Sequence, residues 1–176
     1  MFTSGDRMVI ATQSQLESGL ANPARFEVRV RLYAGDGPSL SQVAEYEDWI
    51  AAGAATQGGF ALVLRNVDSD TRLLTSSDGL VWSAEVLQKS SADETPVDYA
   101  VDADGAVWAE GLIGGGAHIT RYRPGEAPAE LAYFEGGDVL RGMTIGAAGF
   151  ATRALIFTVT DSGELRSGAG ELVGSH

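Results

Sequence analysis

Residues 76–82, Ser-Ser-Asp-Gly-Leu-Val-Trp, constrain the fold of this chain more than any other segment. They lie where one alternating apolar run ends and another begins. Asp78-Gly79 is a strong hairpin signal, because both residues tolerate the positive φ angles of a tight turn. Trp82 follows closely and supplies a large apolar ring that can cover the turn. The segment therefore predicts a β-hairpin closed by a tight turn and a tryptophan.

The clearest strand in the sequence covers residues 25–34. Phe26, Val28, Val30 and Leu32 alternate there with arginines, a glutamate and a tyrosine. This period of two predicts a strand with one buried face and one solvated face. The Gly-Asp-Gly-Pro sequence that follows is typical of a turn and ends the strand.

Similar runs recur about every 40 residues, the spacing of β-propeller blades, and they divide the chain into four units. Strands are predicted in the first unit at residues 8–13, 26–34 and 42–46, and in the second at 49–52, 60–65, 72–75 and 81–87. They are predicted in the third unit at 97–101, 107–112, 118–122 and 130–134, and in the fourth at 140–147, 154–160, 164–166 and 172–173. The frequent glycines between these runs favour many tight turns and an all-β fold.

One segment leaves a helix open as an alternative. In residues 39–55, Leu40, Val43, Ala44 and Ile50 have partial helical spacing, and Ser39 or Ser41 could cap a helix. A helix there would replace the first strand of the second unit.

Three turns share a pattern of Asp and Gly between alternating runs. They are Ser77-Asp78-Gly79 before Trp82, Ala103-Asp104-Gly105 before Trp108, and Asp161-Ser162-Gly163 without a following tryptophan. Residues 76–82, of the form S-x-D-G-x-x-W, resemble the Asp-box (BNR-like) hairpin of sialidase-type β-propellers. The resemblance implies a single domain over residues 1–176, built as a small β-propeller-like array of about four antiparallel blades. A β-sandwich of two sheets is the alternative.

The same resemblance implies architecture and no chemistry, because the motif serves structure at the periphery of the blades in those enzymes. Their catalysis depends on a cluster of arginines that grips a carboxylate, a nucleophilic Tyr paired with Glu, and a further acidic residue. The spacing of the arginines and tyrosines in this chain does not reproduce that arrangement. The residues considered are Arg29, Arg31, Arg65, Arg121, Arg141, Tyr33, Tyr46, Tyr99, Tyr122 and Tyr133.

Composition excludes several classes of partner. The formal net charge of −12 argues against nucleic acid, since contact with phosphates needs clustered Lys and Arg. It argues against anionic membrane surfaces for the same reason. The chain has no cysteine, so disulfides and thiolate metal sites are excluded. No signal-peptide pattern and no spanning apolar run is present, which predicts synthesis in the cytoplasm.

The acidic residues offer two close pairs, Asp102 with Asp104 and Asp68 with Asp70. Both pairs lie in predicted turns, where Asp is favoured for hydrogen bonds to the local backbone. Asp98 next to the first pair would add a calcium ligand, but the loop pattern of a calcium site is absent. We therefore predict turn residues rather than catalytic or metal-binding carboxylates.

Nucleophilic and phosphate-binding sites are also disfavoured. His118 is the one internal histidine, it lies in a predicted strand, and no G-x-S-x-G elbow presents a serine to it. The other histidine, His176, ends the sequence. Residues 114–116 are all glycine but lack the Lys-Ser/Thr of a phosphate loop. We expect no catalytic, cofactor-binding or metal-binding residues.

Two functions remain. The first is a non-enzymatic structural or interaction protein that docks into a larger assembly or associates with itself, as a phage tail or head-decoration component of the virion would. Eleven arginines against the single Lys89 favour a GC-rich genome for such a phage and its host. The second is a carbohydrate-binding module or degenerate glycosidase-like domain, in which Trp49, Trp82 or Trp108 would stack on sugars.

Overall fold

A computed structural model of the protein describes residues 1–18, 25–36, 39–65, 70–88, 94–113, 116–134, 143–147, 154–159, 164–167 and 171–175. Every regular element within these ranges is a β-strand, which confirms the all-β prediction. None of the described segments is a helix with the length and hydrophobicity needed to cross a bilayer.

The sixteen strands form four antiparallel sheets, and each sheet takes four strands in chain order. Sheet 1 contains β1 Phe2–Ser4, β2 Arg7–Ser18, β3 Arg25–Asp36 and β4 Ser39–Tyr46. Sheet 2 contains β5 Trp49–Thr56, β6 Gly59–Arg65, β7 Thr71–Ser76 and β8 Ser83–Gln88. Sheet 3 contains β9 Glu94–Val101, β10 Val107–Ile113, β11 Gly116–Tyr122 and β12 Ala129–Phe134. Sheet 4 contains β13 Met143–Ala147, β14 Ala154–Val159, β15 Glu164–Ser167 and β16 Glu171–Ser175.

Each sheet corresponds to one of the four predicted units. The sequence missed β1, which is only three residues long. Of the predicted strands, residues 140–142 and residue 160 lie outside the described residues, as does the turn at 161–163. The finer prediction, a propeller-like array or a sandwich, stays a prediction.

A shared irregularity shows that the four sheets are repeats. In every sheet the register between the third and fourth strands shifts once, and one residue of the fourth strand is left without an opposite partner. These four residues are Val43, Leu87, Leu131 and Val173, which lie 44, 44 and 42 residues apart. A bulge bends an edge strand and strengthens its twist, and here the bulged residue is always Val or Leu. The repeat is therefore a four-stranded sheet with a bulge in its last strand.

The helical alternative for residues 39–55 is wrong, because these residues form β4 and β5. Two bulges explain the misleading spacing. Val43 is the bulged residue of β4, and Ala51 is skipped in the pairing of β5 with β6. A bulge interrupts the period of two, so the apolar residues fall three and four apart as they would on a helix. Strand pairing then overrides the local preference.

Contacts divide the chain into two compact units, residues 1–89 and residues 90–176. The single domain expected for residues 1–176 stays a prediction. In the first unit, sheets 1 and 2 pack face to face. Their shared core contains Val30 and Leu32 of β3 with Leu62, Leu64 and Leu74 of sheet 2, and all five are buried. Each such side chain contributes about 1.5–3 kcal/mol on burial, so this layer dominates the stability of the unit.

The opposite face of sheet 1 is polar, as the alternation of β3 predicted. Arg29 Nη1 and Arg31 Nε each donate to a carboxylate oxygen of Glu45 on β4, both at 2.9 Å. Arg31 and then Arg29 lower the pKa of Glu45 through these bonds. Sheet 1 therefore has one apolar face and one solvated, charged face.

Strand β6 differs, because residues 60–64 are all buried. Phe60, Leu62 and Leu64 belong to the core shared with sheet 1, whereas Ala61 and Val63 point to the other face. A strand that is buried on both faces does not need to alternate apolar and polar residues. This explains the continuous apolar sequence of β6.

Gly59, at the start of β6, has a φ of 131°. A Cβ atom there would overlap the carbonyl oxygen of Ser76 and lie 2.7 Å from Ser77 Cα. Close backbone approach and positive φ both require glycine at this position.

We expect Gly59→Ala to lower the free energy of unfolding by about 3 kcal/mol, since it strains the backbone and displaces β7. The neighbouring Gly58→Ala is a matched control, because a Cβ at Gly58 meets no atom within 4 Å, and its effect should stay within about 0.5 kcal/mol. Urea denaturation measures both. Similar losses in the two variants would show that crowding at Gly59 is not the cause.

Candidate functional site

The turn between β7 and β8 is organised by the carboxylate of Asp78. Its Oδ1 accepts hydrogen bonds from the backbone N–H groups of Leu80 at 2.8 Å and Val81 at 3.1 Å. Ser76 Oγ donates to the same oxygen at 3.2 Å. The two backbone bonds are the main reason that the pKa of Asp78 lies below its ordinary value.

Trp82 closes the same turn. Its indole Nε1 donates to the carbonyl oxygen of Gly79 at 2.8 Å, and the N–H of Gly79 donates to Ser76 Oγ at 2.8 Å. Gly79 has a φ of 78°, and a Cβ atom there would press against Val9 Cγ2 of sheet 1. The ring of Trp82 packs against the core that the two sheets share. The predicted hairpin therefore exists and also joins sheet 2 to sheet 1.

The turn between β9 and β10 uses a different acceptor. Asp102 Oδ1 accepts from the backbone N–H groups of Asp104 and Ala106, both at 2.9 Å. Asp102 Oδ2 accepts the indole N–H of Trp108 at 3.0 Å. Gly105 takes the positive φ, 84°. Asp102 thus holds both the turn and the tryptophan.

The sequence predicted Asp102 as a turn residue that hydrogen-bonds the local backbone, as it does here, but did not predict its bond to Trp108. The two heptads, 76–82 and 102–108, align as [S/D]-x-D-G-x-x-W, so that Asp102 stands where the first has Ser76. The side chain of Asp is longer than that of Ser and carries two acceptor oxygens. Asp102 therefore takes the place of both acceptors of the first turn, the carboxylate of Asp78 and the carbonyl oxygen of Gly79. The turns also lie at different places, after the third strand of sheet 2 and after the first strand of sheet 3. The motif therefore closes hairpins and does not mark the repeat.

The two turn-following tryptophans are engaged in packing, as expected. Trp108 is only 8% exposed, and the guanidinium of Arg121 lies 5.8 Å from its ring centroid. Trp82 is partly buried against the shared core. Trp49, the first residue of β5, is half-buried. Trp108 therefore offers no open face on which a sugar could stack.

The candidate carboxylates do not converge. Both oxygens of the buried Asp102 are used inside its own turn, and Asp104 is exposed. Asp70 is exposed, Asp68 lies outside the described residues, and the side chain of Asp98 is not described. Within the ranges given above, no three His, Asp or Glu side chains form a group that could hold a metal ion.

His118 lies on β11 as predicted and is buried. Residues 114 and 115 and His176 lie outside the described part of the chain, and Gly116 begins β11. Among the arginines considered, Arg29 and Arg31 bind Glu45, and Arg121 covers Trp108. These three arginines lie on two different sheets, and the side chains that they contact, Glu45 and Trp108, have structural roles.

One buried charge was not anticipated. Asp48, between β4 and β5, is fully buried and forms an ion pair with Arg72 of β7 through Oδ2. Its Oδ1 has no hydrogen-bonding partner in the described part of the chain. Tyr46 lies close by, and burial raises the pKa of its hydroxyl. The pair ties the connection between the two sheets to the third strand of sheet 2.

Exposed apolar side chains concentrate on one hairpin. Apart from Met1, the large hydrophobic residues that the described ranges expose are Leu80 at 40%, Val81 at 76% and Val86 at 49%. We call these three residues the hairpin patch. All of them lie on the β7–β8 hairpin, whose turn Asp78 and Trp82 hold.

Comparison of the chain with models of known families, with curated proteins and with solved structures found no match.

The two tryptophan bonds should differ in strength. Trp108→Phe leaves a buried carboxylate without its indole donor, which we expect to cost about 2–3 kcal/mol, whereas Trp82→Phe removes a bond to a neutral carbonyl and should cost about 1 kcal/mol. The substitution is the same in both cases, so each variant controls for the other. Urea denaturation followed by circular dichroism measures the difference. A larger loss in Trp82→Phe would contradict the assignment of Asp102 as the stronger anchor.

The Asp78 turn should loosen in acid. Because the pKa of Asp78 is lowered in the folded protein from the ordinary 3.8, its contribution is complete above that value and is lost as the pH falls through the folded pKa. Asp78→Asn should flatten this dependence, since it cannot titrate. Carbon NMR titration of the carboxyl, with amide exchange at Leu80 and Val81, tests this. A carboxyl that titrates at or above 3.8 would contradict it.

Proposed function

We propose that this chain is a non-enzymatic interaction protein whose propeller-like array of sheets docks into a larger protein assembly, with a phage virion as the setting. The observation that carries the proposal is the hairpin patch. Single exposed apolar residues are ordinary on protein surfaces, whereas a contiguous exposed group often marks a contact site. Here all three share one hairpin.

The rigidity of this hairpin supports docking. Asp78 and Trp82 make four hydrogen bonds within the turn, three to Asp78 and one from Trp82. A surface that is already ordered loses less conformational entropy on binding. Leu80 and Val81 are therefore presented in a fixed arrangement to a partner.

The use of the polar side chains supports a role without catalysis. Asp78, Asp102, Glu45 and Asp48 each bind a local structural partner. Catalytic groups need geometry toward a substrate position, and these four carboxylates are instead engaged in turns and ion pairs. The packing of Trp108 against Arg121 and Asp102 weakens the sugar-binding alternative.

The proposal predicts that the full chain, expressed with its natural assembly, sediments with assembled particles. Val81→Asp should lower the bound fraction about tenfold, because it places a charge in the contact. Ser41→Asp on the exposed part of β4 is the matched control and should leave binding unchanged. Melting temperatures of both variants show that they fold. A wild-type chain that stays monomeric beside the particles, or that turns over a glycoside, would overturn the proposal.

A further inference from the structure

We propose that β8 is the docking edge of this protein, and that it receives an extended segment of a partner protein, alternating apolar and basic residues, as a fifth strand of sheet 2. This inference rests on the proposed function and names its partner by chemistry. Addition of a strand to a sheet edge gives affinity through backbone hydrogen bonds and specificity through alternate side chains.

β8 has the features of an open edge. It is the last strand of sheet 2, hydrogen-bonded to β7 on one side. Residues 83–86 are all exposed, and they pair with β7 in unbroken register before the bulge at Leu87. Four regular residues therefore remain for an incoming strand; they include Val86 of the hairpin patch and follow Leu80 and Val81 of the turn.

The corresponding edge of sheet 1 is protected. Its last strand, β4, turns Val43 and Ala44 toward the core. Glu45 is clamped by Arg29 and Arg31, and β4 contributes none of the large hydrophobic residues that are exposed in the described ranges. Both last strands carry a bulge, so the contrast lies in their side chains: β4 keeps its apolar residues toward the core, whereas β8 exposes Val86 beside Glu85. This contrast between two repeats of the same construction points to β8 as the selected contact.

The register defines the chemistry of the partner. Ala84 and Val86 lie opposite Leu74 and Arg72 on one face of sheet 2, and Glu85 lies opposite Leu73 on the other. Directly opposed side chains on neighbouring strands favour apolar pairs and opposite charges. An added strand therefore matches best with apolar residues beside Ala84 and Val86 and with Lys or Arg beside Glu85.

Charge disfavours a second copy of this chain as the partner that pairs with β8. Each copy carries a formal charge of −12, so two copies repel each other at low ionic strength. Antiparallel pairing of two β8 strands about Glu85 would also place like carboxylates opposite each other, which is destabilising. A basic segment removes both penalties.

The test uses the full chain and a short capped peptide of alternating valine and lysine. Nitrogen–proton NMR titration should shift the amides of residues 83–86 and slow the exchange of the alternate N–H groups that point away from β7. A peptide with glutamate in place of lysine should bind about tenfold more weakly, and Glu85→Lys should reverse that preference. N-methylation of alternate peptide amides should weaken binding by about tenfold as well, since it removes backbone donors. Ser41→Lys on β4 is the control and should preserve the preference for lysine.

Several outcomes would overturn strand addition at β8. In the peptide titration, these are shifts confined to other residues, equal binding of the N-methylated peptide, or a preference that Glu85→Lys leaves unchanged. A dimer of the chain in analytical ultracentrifugation, with residues 83–86 at its interface by NMR, would also overturn it. Particle sedimentation separates this inference from the proposed function. If Glu85→Lys sediments with particles as the wild type does, the docking edge is wrong and the proposed function stands. If the wild type does not sediment with them, the proposed function itself fails.

Discussion

The apolar layer between sheets 1 and 2 is the interaction on which the first unit depends. A sheet with one apolar face must bury that face against another element to be stable. Leu32 on one side and Leu62 and Leu64 on the other remove that surface from water. Smaller contacts then fix the geometry: Gln13 Oε1 accepts the backbone N–H of Ile50 at 2.8 Å, and the buried Asp48–Arg72 pair holds the connecting segment. The Asp78 turn completes the layer, because Gly79 lies against Val9.

The two tryptophan turns show how one heptad pattern accommodates two chemistries. With Ser76 at the first position, the turn needs Asp78 for its backbone donors and the carbonyl of Gly79 for the indole. With Asp102 there, one buried carboxylate serves all three donors. A charged acceptor makes the stronger hydrogen bond. Because Asp102 is buried, the loss of one of its donors also costs more free energy. The first turn lies beside exposed apolar residues and the second beside buried ones, which supports the proposed contact at the first hairpin.

The repeat is clearer in the pairing of the strands than in the side-chain sequence of the turns. Bulges at Val43, Leu87, Leu131 and Val173 recur at nearly constant spacing, whereas the Asp-Gly turns fall after different strands of their sheets. Differences between repeats then become informative. Sheet 1 ends in a charged, clamped edge, and sheet 2 ends in an exposed one with Val86 and Glu85. These differences between the two edges support the proposal that β8, and not β4, receives a partner.

Local sequence determined the strands and the first turn, because alternation and Asp-Gly chemistry act over a few residues: β3 alternates as its faces require, and residues 76–82 form the expected hairpin. The proposed docking surface was not evident from the sequence, since Val81 and Val86 resemble any other apolar residues until the structure shows them exposed. For residues 39–55, tertiary structure decided between the predicted strands and the helical alternative, because pairing with β3 and β6 accommodates the bulges that imitate helical spacing. It also decided that Asp102 binds Trp108 and that Asp48 meets Arg72, since such pairings depend on which strands become neighbours.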